Sequence, residues 1–154
     1  MILVTLGTQQ QPFTRLLEYI ENSNIKDEII VQAGFTDFKS SKMKLFEFID
    51  YDKMNEYIEK SDLIITHAGT GSIVSALKKN KKVIACARLS EYKEHVDNHQ
   101  KEILDVFYEE GYILKIDEEL NLDDVYEKSK NFKTKKFISN TDNFIKKLKK
   151  EIEK

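Results

Sequence analysis

Two glycines one residue apart lie in a short polar segment that directly follows an apolar run. Residues 66–72 read THAGTGS. Glycines at such a turn leave main-chain N–H groups free to face a ligand, and a helix beginning there adds its dipole. We therefore predict an anion site, suited to a diphosphate, at Gly69, Thr70, Gly71 and Ser72, with Ser72 as the N-cap of the helix. The alternative is an ordinary tight turn with a capping serine.

A second candidate segment, residues 7–12 (GTQQQP), follows the first apolar run of the chain. Gly7 allows a sharp turn, Thr8 and Gln9 supply donors, and Pro12 suits the first turn of a helix. A dinucleotide fingerprint needs three spaced glycines, and only Gly7 is present, so an NAD site is not expected. The segment is either part of an anion site or an ordinary strand-to-helix turn.

The third candidate segment, residues 88–100 (RLSEYKEHVDNHQ), is dense in donors and acceptors. His95, Asp97, Asn98 and Gln100 offer groups that suit a polyhydroxylated ligand such as a sugar. Asp97 is equally suited to capping the helix that follows.

A metal site is not predicted from the histidines. His95 and His99 are four residues apart and could share a helix face, with His67 as a third ligand. The zinc-protease helix pattern requires a glutamate directly after the first histidine, and Val96 stands there.

Short apolar runs that alternate with helical patterns must position these segments. Strands are predicted at residues 2–6, 28–32, 44–48, 63–66, 83–87 and 112–116. Helices are predicted at residues 13–21, 54–59, 72–79, 98–109, 122–130 and 142–153. This alternation predicts an α/β fold, a Rossmann-like parallel sheet with helices on both faces. Such sheets bind ligands beyond the carboxyl ends of their strands, where all three segments would lie.

The chain of 154 residues fits one compact unit. We predict a Rossmann-like domain over residues 1–130, followed by a linker and an amphipathic C-terminal helix over residues 131–154. The helix carries an apolar stripe of Phe144, Leu148 and Ile152, which packs on its own sheet or on a partner. A net charge of −2 gives no basic excess, so nucleic acid is not an expected partner. Without an apparent signal or membrane span, we expect a cytoplasmic protein.

Two of these motifs together resemble a known family. Residues 67–73 (HAGTGSI) and 95–102 (HVDNHQKE) are similar to the C-terminal, donor-binding half of family 28 glycosyltransferases (MurG-like). The opening VTLGTQ at residues 4–9, with Phe13, resembles the start of the soluble donor-binding subunits of two-subunit bacterial polysaccharide glycosyltransferases (PssE/EpsF type). The resemblance covers residues 1–116.

This resemblance implies a fold equivalent to the C-terminal half of a GT-B glycosyltransferase. It also implies inverting, metal-independent transfer of a hexose from a UDP-sugar to a lipid-linked acceptor in exopolysaccharide or capsule synthesis. Residues implied to contact the nucleotide or its diphosphate are Gly7, Thr8, Gln9, His67, Gly69, Thr70, Gly71, Ser72 and Arg88. Asp97, Asn98 and Gln100 are implied to meet the sugar.

One residue, Ser75, departs from the family pattern, and another, His67, has two alternative roles. Relatives often carry an acid that contacts the ribose where this chain has Ser75, so that contact is expected to be weaker. His67 is a candidate for the catalytic base by its location alone, and a structural histidine is the alternative.

The resemblance also implies a partner. A lone donor-binding half leaves the site open to water, so we expect a membrane-anchored, acceptor-binding subunit of the PssD/EpsE type to complete it. The chain would then lie at the inner face of the membrane through that partner. The alternative function is a non-catalytic, nucleotide-binding regulatory or scaffold module. An epimerase of related fold normally needs two domains in one chain, and this chain is too short.

Overall fold

A computed structural model of the protein describes residues 1–137. The predicted C-terminal helix and its apolar stripe lie outside the described residues. The strands are β1 (Ile2–Thr5), β2 (Ile29–Gln32), β3 (Met43–Phe46), β4 (Leu63–His67), β5 (Lys82–Cys86) and β6 (Leu114–Lys115). The helices are α1 (Thr14–Glu21), α2 (Tyr51–Lys60), α3 (Thr70–Lys78), α4 (His99–Glu109) and α5 (Leu122–Ser129), with a 3₁₀ turn at Ser90–Tyr92.

The six strands form one parallel sheet in the order β3-β2-β1-β4-β5-β6. The chain runs outward from β1 to β3, returns to β4 beside β1, and then continues in the opposite direction. Because parallel crossovers are right-handed, this reversal places α1 on one face of the sheet and α2, α3 and α4 on the other. It also opens a crevice at the carboxyl ends of β1 and β4, where ligands bind in such sheets.

Each face of the sheet is covered by its own helices. On one face, Val4 and Ile65 belong to a core that includes α1 and α5. On the other face, Leu3 and Ile64 belong to a core with α2, α3 and α4. The central strands are buried on both sides, so their apolar residues run without interruption. The predicted Rossmann-like fold with helices on both faces is confirmed.

The start of α3 differs from the prediction. The helix begins at Thr70, with Gly69 in the N-cap position and no side-chain cap. Ser72 therefore lies inside the first turn, and its predicted role as the N-cap is wrong. Glycine is tolerated at the N-cap because the residue there has no helical dihedral angles.

The other boundaries shift by a few residues. β6 is shorter than predicted, and the two residues before it, Tyr112 and Ile113, are buried in the core on the α4 side. Residues 131–137 form no helix or strand, and the predicted division of the chain at residue 130 stays a prediction. Within residues 1–137, none of the helices has the length and apolar character needed to cross a membrane.

Candidate functional site

A cavity of about 480 Å³ lies in the groove between α2 and α3, above β1 and β4. This volume is typical of small-molecule sites, which are roughly 300–1,000 Å³. Its lining residues are Thr5, Gly7, Thr8, Gln32, Phe48, Ile49, Tyr51, Met54, Asn55, Ile58, Ile64, Gly71, Ser72, Ser75, Ala76, Lys78 and Lys79. The groove exists because α2 and α3 flank the point where the strand order reverses.

The first two predicted segments meet at this cavity. Gly7 and Thr8 approach it from the end of β1, and Gly71, Ser72 and Ser75 approach it from the first turns of α3. No side chain caps α3, so the amides of its first turn remain available to a ligand. An uncapped helix N-terminus beside a cavity suits an anionic group, since the helix dipole adds partial positive charge there.

The turn after β1 is held in place by a side chain from β2. Gly7 has a φ of +75°, in the left-handed region that favours glycine. The Gln32 amide brackets this residue, because its Oε1 accepts from the Gly7 N–H at 3.2 Å and its Nε2 donates to the Gly7 carbonyl at 3.1 Å. The same Nε2 donates to the Glu47 carbonyl at 3.1 Å. The Gly7 amide is thus already partnered, and its predicted contact with a diphosphate stays a prediction.

His67 is wedged between the two glycine turns. A Cβ on Gly7 would lie 2.5 Å from His67 Nε2, and a Cβ on Gly69 would lie 2.3 Å from His67 Cε1. Both positions therefore require glycine while the imidazole occupies this space. The ring Nε2 lies 3.2 Å from Ser72 Oγ, and Nδ1 lies 3.1 Å from Gln100 Nε2. His67 packs the predicted anion turns against each other.

The environment of His67 indicates how well this residue could act as a catalytic base. Burial, together with the nearby Arg88 cation, lowers the pKa of His67 to about 4. A general base works best with a pKa near the operating pH, and this one is far below it. Both ring nitrogens also have protein partners. These features favour the structural histidine over the base.

Arg88, which was predicted to lie close to a nucleotide, is buried beneath the carboxyl edge with an exposed fraction of 1 %. Its Nη1 donates to the carbonyls of Gln11 at 2.6 Å and Glu94 at 3.0 Å, and its Nη2 donates to the Leu6 carbonyl at 2.6 Å. The guanidinium also lies 5.0 Å from the centroid of the Phe13 ring. Burial lowers the pKa of Arg88 to about 10. Arg88 joins the segment after β1 to its own segment after β5, and its predicted contact with a nucleotide stays a prediction.

The remaining polar groups of the third segment also bind the protein itself. Gln100 is buried, and its Oε1 accepts from the Arg88 amide at 3.1 Å. Asn98 Oδ1 accepts from the Ser90 amide at 2.9 Å. Asp97 Oδ1 accepts from the His99 amide at 3.0 Å, but the N-cap position of α4 is occupied by Asn98, so Asp97 is not the N-cap residue. Their contacts with a sugar stay predictions.

The placement of the twelve predicted ligand residues therefore falls into three groups. Those that line the cavity are Gly7, Thr8, Gly71 and Ser72. Those that lie in the same turns without lining it are Gln9, His67, Gly69 and Thr70. Those that belong to the third segment and lie outside the cavity lining are Arg88, Asp97, Asn98 and Gln100.

The sequence prediction missed one wall of the cavity. Phe48, Tyr51, Met54 and Asn55 reach it from the end of β3 and the start of α2. Phe48 packs edge-on against Phe35, with ring centroids 5.3 Å apart, and both rings are about half exposed. Their exposure is known only from the folded chain, and of the two rings only Phe48 lines the cavity.

The described residues contain neither a cluster of metal-binding side chains nor an accessible thiol. Across residues 1–137, no group of three or more His, Cys, Asp or Glu side chains could hold a metal ion. Metal independence of any reaction stays a prediction. Cys86 is buried, and its burial raises the pKa of the thiol to about 12, so the nucleophilic thiolate is suppressed.

Comparison with known proteins gives matches along the whole chain. Residues 1–154 match the family model described as the glycosyltransferase family 28 C-terminal domain. Over 75 residues the chain is 44 % identical to the UDP-N-acetylglucosamine transferase subunit ALG13 of Saccharomyces cerevisiae, a match covering 48 % of this chain and 35 % of that relative. The subunit of the same name from Candida albicans is 40 % identical over 81 residues, which cover 53 % of this chain and 26 % of the relative. The matched stretches thus span about a third or less of these two relatives.

Solved structures extend the likeness beyond the matched stretches. The solution structure of ALG13 aligns with a TM-score of 0.64 and 26 % identity, covering 96 % of this chain and 94 % of that chain. The glycosyltransferase SnogD from Streptomyces nogalater aligns with a TM-score of 0.59 over 99 % of this chain and 39 % of its own. At 15 % identity, SnogD supports the fold alone.

Proposed function

The chain belongs to the family of glycosyltransferase family 28 C-terminal domains, and on that premise we propose that it is the UDP-sugar-binding subunit of a two-subunit glycosyltransferase. The observation that carries this proposal is the cavity between α2 and α3, where the turn after β1 meets the uncapped start of α3. A site of this kind offers amide donors to a diphosphate and apolar walls to the rest of a nucleotide.

Different parts of the cavity lining suit different parts of a nucleotide. The amides at the start of α3, with the Ser72 hydroxyl, suit the diphosphate. The apolar side chains of Phe48, Ile49 and Met54 suit a base, which an aromatic ring can stack upon. Ser75 lines the cavity from α3 and suits a ribose hydroxyl, although a serine binds it less strongly than an acid would.

We propose UDP-N-acetylglucosamine as the donor, because ALG13 relatives are named as subunits of a transferase of that sugar. In the reaction, an acceptor hydroxyl attacks the anomeric carbon, the bond to the diphosphate breaks with inversion, and UDP leaves with the bonding electron pair. Negative charge then grows on the leaving diphosphate. The amides and dipole of α3 would stabilise this charge in the manner of an oxyanion hole.

The second subunit would carry the acceptor site and supply the base. Within residues 1–137 the cavity opens at the carboxyl edge of the sheet, where exposed Phe35, Phe48 and Tyr51 are available for a covering protein. The subunit names of the relatives support a partner of this kind. The finer prediction of a bacterial exopolysaccharide or capsule system, with a PssD/EpsE-type partner, draws no support from these yeast relatives and stays a prediction.

Calorimetric titration of the full chain with UDP-N-acetylglucosamine, UDP and NAD tests donor binding. We expect the two uridine compounds to bind and NAD to fail. Ser75 is exposed on α3, so Ser75→Phe should fill the cavity without disturbing the core and should abolish binding. Ser41→Phe, at an exposed serine outside the cavity lining, is the matched control and should bind as the unmodified protein does. Absence of UDP binding to the unmodified protein would contradict the proposal.

A transfer assay tests catalysis. Donor turnover onto a lipid-linked acceptor should appear only when the chain is combined with its acceptor-binding subunit. Binding of UDP without any transfer in the presence of that subunit would instead favour a regulatory module.

A further inference from the structure

A chain of hydrogen bonds leads from the third segment into the cavity. The Arg88 amide lies 3.1 Å from Gln100 Oε1, and Gln100 Nε2 lies 3.1 Å from His67 Nδ1. His67 Nε2 lies 3.2 Å from Ser72 Oγ. Arg88, Gln100 and His67 are buried, whereas Ser72 is partly exposed and lines the cavity.

The direction of each bond follows from the chemistry of its partners. A main-chain N–H only donates, so the atom of Gln100 facing Arg88 must be the oxygen. The other end of the Gln100 amide is then the NH₂ group, which also only donates. His67 Nδ1 must therefore hold a lone pair, and a neutral ring carries its single proton on Nε2.

The ring is held neutral by its surroundings. Burial lowers the pKa of His67 to about 4, and the Arg88 guanidinium and His95 disfavour a second charge nearby. With its proton on Nε2, His67 donates to Ser72 Oγ. The Ser72 hydroxyl accepts this bond, and its own proton is left for another acceptor. In the part of the chain that the structure describes, the Ser72 side chain has no other hydrogen-bond partner.

We propose that the Arg88 amide, Gln100 and His67 form a relay that orients Ser72 as a hydrogen-bond donor to a diphosphate in the cavity. In this relay Gln100 is a positioning residue that acts through His67 and Ser72 without touching the ligand. The proposal rests on the proposed function, since it takes a nucleoside diphosphate as the occupant. It assigns Gln100 a role different from the sugar contact implied by resemblance.

The first test needs no ligand. The ¹⁵N chemical shifts of the His67 ring report which nitrogen carries the proton, and we expect Nε2 in the unmodified protein. Gln100→Glu keeps the shape of the side chain and its acceptor for the Arg88 amide, but the second oxygen of the ionised carboxylate can only accept. We expect the ring proton to move to Nδ1 in this variant, which forces Ser72 to donate to Nε2. An Nδ1 proton in the unmodified protein would overturn the relay.

The second test is a double-mutant cycle with UDP and uridine as the probes. Gln100→Glu should weaken UDP binding by about tenfold, the effect of one lost hydrogen bond to a charged group, and leave uridine binding unchanged. In a Ser72→Ala background, the same substitution should have no further effect on UDP. An equal loss in both backgrounds would mean that the new carboxylate simply repels the diphosphate, and the relay would be wrong.

A charge control makes the cycle interpretable. Gln10→Glu adds the same charge at an exposed position of the turn after β1. Any effect of that charge should be identical with and without Ser72. If the unmodified protein binds no UDP, the proposed function fails whatever the tautomer. If it binds UDP and the cycle shows no coupling, the relay alone fails.

Discussion

The segment after β4 and the segment after β5 leave the same edge of the sheet but use their polar groups in opposite ways. The segment after β4 is short, ends in an uncapped helix, and leaves Gly71 and Ser72 facing a cavity. The segment after β5 is longer and richer in polar side chains, yet those side chains bind the protein. Arg88 holds three carbonyls, and the Glu94 carboxylate accepts from Arg15 at 2.9 Å.

The difference teaches that a high density of polar residues does not by itself mark a ligand site. A buried polar group must find a partner, because leaving it unpaired costs about 1–3 kcal/mol. In a long irregular segment that packs against the sheet, the polar side chains therefore bind other groups of the protein and are not left for a ligand. A short turn onto a helix has few such side chains, and its free main-chain amides remain for a ligand.

The largest expected effect is on the segment after β5. Arg88→Met should lower the free energy of unfolding by about 3–5 kcal/mol, because it leaves the carbonyls of Leu6, Gln11 and Glu94 without their donor. Urea denaturation at pH 7 measures this loss. Ser72→Ala, in the segment after β4, should cost no more than about 1 kcal/mol. Equal losses from the two variants would remove the distinction between the segments.

The pH dependence of stability should differ between two histidines whose pKa values are shifted in opposite directions. They are His67 at the end of β4 and His99 at the start of α4. For His67, burial lowers the folded-state pKa from 6.5 to about 4, so the unfolded chain binds a proton first as the pH falls. Its contribution is fully present above pH 6.5 and is lost toward pH 4, by about 3 kcal/mol. For His99, a bond to Glu102 raises the pKa, so its contribution is present at low pH and is lost as the pH rises.

Denaturation at pH 7 and pH 4.5 of the unmodified protein, His67→Gln and His99→Gln measures these contributions. The decrease in stability at the lower pH should become smaller in His67→Gln. In His99→Gln it should stay the same or become slightly larger. A pH dependence unaltered by His67→Gln would show that His67 is not buried as a neutral ring.

The smallest expected effect is the difference in stability between alanine substitutions at two glycines of the same turn. Gly69→Ala should destabilise the protein by about 1–3 kcal/mol, because the new methyl group would lie 2.3 Å from the His67 ring. Gly71→Ala meets no atom within 4 Å and should be neutral, or stabilise α3 by up to about 1 kcal/mol. Thermal denaturation of the pair measures the difference. Two variants of equal stability would mean that His67 does not fill the space between the turns.

Much of the fold was predictable because strands buried on both faces must be apolar throughout. The runs at Leu63–His67 and Lys82–Cys86 are examples, and both were predicted to within a residue or two. The start of α3 was predicted less well. Serine is a common N-cap, but His67 occupies the space beside Gly69 and lies within hydrogen-bond distance of Ser72 in the first turn of the helix.

The candidate site was predictable only in part. The glycine turns were found from local sequence, since their spacing is a property of adjacent residues. The wall formed by Phe48, Tyr51 and Met54 was missed because nothing near these residues in the chain identifies their neighbours. Conversely, Gln100 was assigned to a sugar because of its residue type, whereas its position among Arg88 and His67 gives it other partners.

By itself, the sequence determined the alternation of strands and helices, the layered sheet and the two glycine turns at its carboxyl edge. The periodicity of apolar residues and the conformational freedom of glycine are local properties, because they depend only on residues that are close together in the chain. Only the tertiary structure decided which polar groups face a cavity and which hold the fold together. That choice depends on the reversal of strand order and on the strong tendency of buried polar groups to find partners, and both are properties of the folded chain.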